Sequence, residues 1–227
     1  MEKTFQNEEL EKFPDLEKIR ESIPSFMSEK RLKHTLSVEK EALSIADKVF
    51  AALGFPENYK IHLQSAALLH DITKEKSNSE QLELCKKYKI ELGEQISYPV
   101  LHGKTGAHLA KELFGVNEII FSAIFNHTTG TEDMDVFEKI IFLADYIEQT
   151  RTAQSCIKVR NFFYNTLEKT GYEYAPSILD EAVKQALNET LKYLVSNGSV
   201  IDIQTVKAYE FLQTHSNSQR FPIDYKE

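Results

Sequence analysis

Six positions in this 227-residue chain carry the residue types that hold a metal or move a proton: His34, the adjacent pair His70 and Asp71, His102, His127 and Asp145. A single histidine on an apolar helix face is more often a hydrogen-bonded core residue than a ligand. Asp145 is harder to explain in that way, because a carboxylate inside IIFLADYIEQ must be paired, coordinated or turned to solvent. Taken together, the six fit a metal centre better than a set of independent core polar groups. Imidazole nitrogens and carboxylate oxygens suit divalent or trivalent first-row metals, and the sequence leaves open which of these it is. Cys85 and Cys156 lie far apart with no CxxC spacing, which argues against a thiolate zinc knuckle or a disulfide scaffold and fits a reducing compartment.

Helical periodicity must position these residues. Leu16, Ile19, Ile23 and Phe26 follow a helical spacing that Pro24 should kink or end. A long helix is expected from Glu29 to Leu53, with Gly54 as its stop. It has one stripe of Leu32, Leu36, Leu43, Phe50 and Leu53, and a second of Val38, Ala42, Ile45 and Val49 that His34 extends. From about Asn58 to Asp71, the residues Leu63, Ala66, Ala67 and His70 fall at i, i+3, i+4 and i+7. His70 and Asp71 differ by about 100° around that helix, so both can reach one metal only near its end. Ile120, Ala123, Ile124 and His127 repeat the arrangement behind an Asn117 cap, and Asp135 with Glu138 forms a capping box before the helix bearing Asp145. Further helices are expected near Ser79–Tyr88, from Pro99 to Gly115, at Ala175–Ser196 and at Ile203–Thr214. Ser199–Ile203 is the one strand-like run. The expected fold is all-α: a helical N-terminal extension over 1–28, one domain over 29–215 and a polar tail over 216–227.

Composition narrows the function. There are 27 basic and 35 acidic side chains, a formal net charge of −8, which disfavours nucleic-acid polymers and anionic membrane surfaces as partners. No apolar run is long enough to cross a bilayer and the charged first residues contain no signal-peptide core, so the chain reads as cytoplasmic. GKTG at Gly103–Gly106 lacks both the first glycine of a phosphate-binding P-loop and a preceding strand. Gly106 reads instead as a small residue that lets two helices approach.

The segments RLKHTLSV, AALLHDITKE and FLADYIE match the H…HD…D signature of HD-domain metal-dependent phosphohydrolases. With VLHGKTGAHLAKELFG and AIFNHTTG between them, the chain resembles the YqeK branch of that family over roughly Lys30 to Leu212. The resemblance implies an HD-domain helical bundle around two metal ions, described as iron in that branch; manganese, cobalt or nickel also suit the donors. It further implies that His34, His70, Asp71 and Asp145 hold one metal, that His102 and His127 complete a second, and that Asp71 bridges them. The implied reaction is hydrolysis of diadenosine tetraphosphate to two ADP by a metal-activated hydroxide. A small nucleotide thus becomes compatible with an acidic protein, since two metals bring about +4 of charge against two ligating carboxylates.

Lys74, one turn beyond His70, is expected to face the phosphates, with Lys104, Thr128, Thr129 and Arg151 as weaker candidates; each is equally readable as an ordinary solvated residue. Asn126 and Tyr146 read as ordinary surface residues, and His62, His108 and His215 as non-ligands. The segment from Ser155 to Ala175 looks inserted relative to the family pattern and is expected to leave the ligands untouched. A homodimer stays open. Rival readings are an HD nucleotidase or a guanosine-alarmone pyrophosphohydrolase and, in another class, a nucleotide- or metal-sensing protein that does not turn over.

Overall fold

The computed structural model describes residues 10–93 and 97–215; the expected tail over 216–227 lies outside them. Helix α1 (Leu16–Ser22) is capped by Asp15 and gives way at Pro24 to a 3-10 turn, Ile23–Ser25. Ile19 and Ile23 are buried in the same core as the rest of the chain. The long α2 (Glu29–Leu53) starts at the Ser28 cap and stops at Gly54, whose φ of 71° favours glycine. Of its two expected stripes, Val38, Ala42, Ile45 and Val49 are fully buried, whereas Leu36 and Leu53 face solvent. The face that continues from His34 is therefore the one around which the bundle forms.

α3 (Lys60–Leu69) ends with His70 as its C-cap, and α6 (Glu118–Asn126), started by the Asn117 cap, ends with His127. Both histidines thus leave the helix where the chain begins to turn away. Between them come α4 (Asn78–Tyr88), opened by a Ser77/Glu80 capping box, and α5 (Leu101–Phe114), entered through the 3-10 turn Tyr98–Val100. α7 (Val136–Ile147) begins with the Asp135/Glu138 capping box; α8 (Gln154–Thr170), α9 (Ala175–Ser196) and α10 (Ile203–His215) follow. No strand forms among the described residues, and the run before Ile203 is irregular.

α2 packs against α3, α7 and α9, and α7 also contacts α6 and α9. Phe50 and Phe137 meet edge to face across α2 and α7 with ring centroids 5.5 Å apart. The close approach that needs a glycine is at Gly103 rather than Gly106. A Cβ on Gly103 would lie 3.1 Å from the Phe125 carbonyl oxygen, while one on Gly106 would make ordinary contacts at 3.4–3.5 Å. Gly103 thereby lets α5 sit against α6, which brings His102 beside His127.

The segment from Ser155 to Ala175 is packed into the bundle. Most of it is α8, whose Val159, Phe163 and Leu167 are buried in the core. It contacts none of the six candidate ligands through Arg160, which donates to the carbonyls of Glu148 and Arg151 at 2.5 and 2.9 Å and fixes the loop after α7.

Candidate metal centre

The ends of α3, α5, α6 and α7 and the first turns of α2 bring the six candidate ligands together. Three overlapping groups, His34/His70/Asp71, His70/His127/Asp145 and Asp71/His102/His127, each present ligand atoms within 4.8 Å of one another. Asp71 is the junction. Its Oδ2 lies 3.3 Å from His70 Nε2 and 3.6 Å from His34 Nε2, while its Oδ1 lies 3.2 Å from His102 Nε2 and 3.9 Å from His127 Nε2. Asp145 Oδ1 closes one side at 3.1 Å from His34 Nε2.

The opposite nitrogen of every ring is tied down. His70, His102 and His127 each set Nδ1 against the carbonyl three residues earlier, Ala67, Pro99 and Ile124, at 2.6–2.7 Å. A carbonyl only accepts, so Nδ1–H donates and Nε2 is left with a lone pair directed inward. His34 Nδ1 is held by the Glu148 carboxylate at 3.1 Å. Buried partners of this kind fix the ring orientation of metal-binding histidines.

That tautomer makes the cluster a test of cation binding. Nε2 of His102 and Nε2 of His127 are 3.1 Å apart, so two lone pairs confront each other unless a positive charge lies among them. Burial pushes His127 down to about 3 and lowers His102 as well, so neither ring takes up a second proton near neutral pH. The Nε2 atoms of His34 and His70 are buried without a hydrogen-bond partner. Burial disfavours charge on His70, but Asp71 and Asp145 outweigh it and raise its pKa. Burial likewise opposes ionisation of the carboxylates, yet His70 and His102 around Asp71, and Arg151 and His34 around Asp145, hold both well below the ordinary range. The neutral rings of His102 and His127 and the ionised carboxylates of Asp71 and Asp145 converge with His34 and His70 on one space, a donor set compatible with metal binding.

Lys74 sits beside this set, with Nζ 3.3–3.4 Å from the two ring nitrogens of His102 and its pKa lowered chiefly by burial. Arg151 binds Asp145 Oδ1 at 2.6 Å. Lys104 is elsewhere engaged, 3.5 Å from Asp202, and the Thr129 hydroxyl donates to the Gly130 carbonyl. The buried Thr128 hydroxyl has no hydrogen-bond partner. His62 hydrogen-bonds to the Leu10 carbonyl, His108 stacks on Tyr88, and His215 stacks on Phe211, so all three stand apart from the cluster.

Several residues in and around the site had no assigned role in the sequence. Arg31 donates to Asp71 Oδ2 at 2.8 Å, and a cleft of about 460 Å³ opens beside His34, lined by Lys30, Arg31, Lys33, Thr150 and Arg151 with Glu75 and Glu148. Lys104, Thr128 and Thr129 do not line it. The only sequence sign was position: Arg31 and Lys33 precede His34 by three residues and one, and Glu148 follows Asp145 by one helical turn.

Comparison with known proteins places this geometry. The family model described as HD domain matches residues 31–150, more than half of the chain and a span containing all six ligand candidates. The chain belongs to the HD-domain family. Within it, the chain is 34% identical over 165 residues to a Staphylococcus aureus protein named symmetrical bis(5'-nucleosyl)-tetraphosphatase, covering 70% of this chain and 80% of that one. A protein of the same name from Halalkalibacterium halodurans is 32% identical over 189 residues, covering 82% and 90%. A Clostridium acetobutylicum crystal structure, described as a predicted HD superfamily hydrolase involved in NAD metabolism, superposes with a TM-score of 0.73 at 28% identity. It covers 87% of this chain and 96% of that one. The HD-domain fold is thus all-α here, as the sequence pattern implied, and the His/Asp cluster lies inside it. No helix among the described residues is long and apolar enough to cross a membrane.

Proposed function

We propose that the chain is a metal-dependent phosphohydrolase that splits diadenosine tetraphosphate symmetrically into two ADP, with two metal ions sharing Asp71. The observation that carries this reading is the division of Asp71 between two histidine sets, Oδ2 toward His34 and His70 and Oδ1 toward His102 and His127. The names of the relatives supply the nucleotide. His34, His70, Asp71 and Asp145 would hold one ion and His102, His127 and Asp71 the other; iron, manganese, cobalt and nickel all suit these donors. When bound, the pair supplies Lewis acidity toward phosphoryl oxygens and a water acidic enough to attack near neutral pH.

The protein's own part is orientation. The carbonyls behind His70, His102 and His127, and Glu148 behind His34, keep the four rings fixed so that no reorganisation accompanies the reaction. Attack of water on an inner phosphorus breaks that phosphorus's bond to the central bridging oxygen. One ADP leaves with the bridging oxygen and the other retains the oxygen of the water. Lys74, partly desolvated at the rim of the His102 side, offers its ammonium to the charge that grows on the phosphoryl oxygens.

Product analysis tests the reading. Metal-loaded protein with diadenosine tetraphosphate should release ADP alone, at two per substrate consumed. Release of AMP with ATP, or no turnover in any of the four metals, contradicts it.

A further inference from the structure

Three cations open α2. Lys30, Arg31 and Lys33 lie in its first two turns, where the peptide dipoles and unsatisfied N–H groups already concentrate positive charge. A helix start shaped for stability alone favours acids there, and Glu29 is the sole acid of that turn. All three cations face the 460 Å³ cleft, joined by Arg151. Two acids, Glu75 and Glu148, share the lining with these four cations, and Glu148 lies 3.9 Å from Arg151. Glu75 accepts from the backbone N and Oγ of Ser28 at 2.5 and 2.6 Å. Glu148 accepts from Thr150 N and Oγ1 at 2.6 and 2.5 Å, and from His34.

Two of the four cations connect the cleft to the ligands, since Arg31 is bonded to Asp71 and Arg151 to Asp145. Lys30 and Lys33 are different: both are exposed, and neither forms an ion pair with any described residue. Three residues apart, they project from the same side of α2, close enough to contact one extended ligand. The cleft thus carries four cations against two carboxylates, is of a size suited to a small ligand, and begins where the ligand cluster ends.

We infer that the Lys30/Lys33 wall of this cleft is an anion subsite, which takes the phosphates lying beyond the scissile bond and makes the enzyme favour long polyphosphate chains. Its ligand rests on the hydrolysis proposed above. The two exposed ammonium groups act through ground-state binding, so they affect affinity more than the chemical step.

The test uses the metal-loaded protein and the K30Q/K33Q double variant. Two quantities are measured: kinetics on diadenosine tetraphosphate, and calorimetric binding of inorganic tripolyphosphate. The expected result is a KM raised about tenfold or more with kcat held within about threefold, and tripolyphosphate binding weakened by a similar factor. Metal content should not change. The melting temperature should hold or rise, because two cations leave the positive end of α2. Unchanged KM with unchanged tripolyphosphate binding overturns the inference, as does a fall in kcat alone. A raised KM with unchanged tripolyphosphate binding also overturns it, by placing the lysines on the nucleoside. If the protein does not split diadenosine tetraphosphate at all, the proposed reaction fails while the calorimetry still decides the subsite.

Discussion

The two sides of Asp71 are built differently. On the Oδ1 side, His102 and His127 are buried, each with Nδ1 on a backbone carbonyl, and kept uncharged by their surroundings. On the Oδ2 side, His34, His70 and Asp145 stand among charges: Glu148 behind His34, Arg31 on Asp71, Arg151 on Asp145, and a cationic cleft beyond. One side gathers neutral nitrogen donors with the Lys74 ammonium beside His102, whereas the other stands among several charges and borders the cationic cleft. A single carboxylate therefore joins two differently built surroundings.

Breaking the junction should have the largest effect. Asp71→Asn leaves one carbonyl oxygen where there were two ligating oxygens, so it can serve only one side. Hydrolysis should fall by more than the ~10–100-fold that follows removal of a partner behind a ligand. Helical circular dichroism should persist. Activity within tenfold of the parent would show that the two sides do not depend on a shared carboxylate.

A milder change should act on one side alone. Glu148→Ala removes the acceptor behind His34 and should weaken metal binding on the Oδ2 side by ~10–100-fold, leaving the His102/His127 side at parental affinity. Competition with a chelator reads the two affinities separately. Equal weakening of both would erase the distinction.

The smallest expected effect is the pH dependence of the metal-free protein. In the unfolded chain His127 protonates near its ordinary 6.5, but in the folded protein only near about 3. Between those values the unfolded state binds more protons, so this group lowers stability as pH falls from about 6.5 toward about 3. His70, raised by Asp71 and Asp145, has the opposite sign: it adds stability below the ordinary histidine pKa and loses it as pH rises through its folded value. Melting temperatures in chelator should therefore fall less steeply on acidification in His127→Gln than in the parent. Parallel curves would mean that His127 is not held neutral.

Much of this was legible in the sequence, for reasons that particular residues make clear. The clustered residues were readable because His70 and His127 continue apolar stripes and then sit at helix caps, and because a carboxylate at Asp145 interrupts a largely buried helix. The helix starts at Asp135 and Asn117 were readable because these caps act within three residues of their partners. Arg31 and Glu148 were not, since their partners lie 40 and 114 residues away and meet them only once α2 packs on α3 and on α7. Arg160 was hidden for the same reason: nothing local in α8 indicates that its guanidinium will hold the loop carrying Glu148 and Arg151. Periodicity also left the buried face of α2 undecided between two stripes, and only the packing of its neighbours selected the one containing Val38 and Ile45.

Metal stoichiometry tests the central claim most directly. Elemental analysis of the protein, reconstituted with iron or manganese and freed of loosely bound ions, should give two metals per chain, and His102→Ala with His127→Ala should give one. One metal per chain in the parent, or two in the double variant, would contradict a centre built on both oxygens of Asp71.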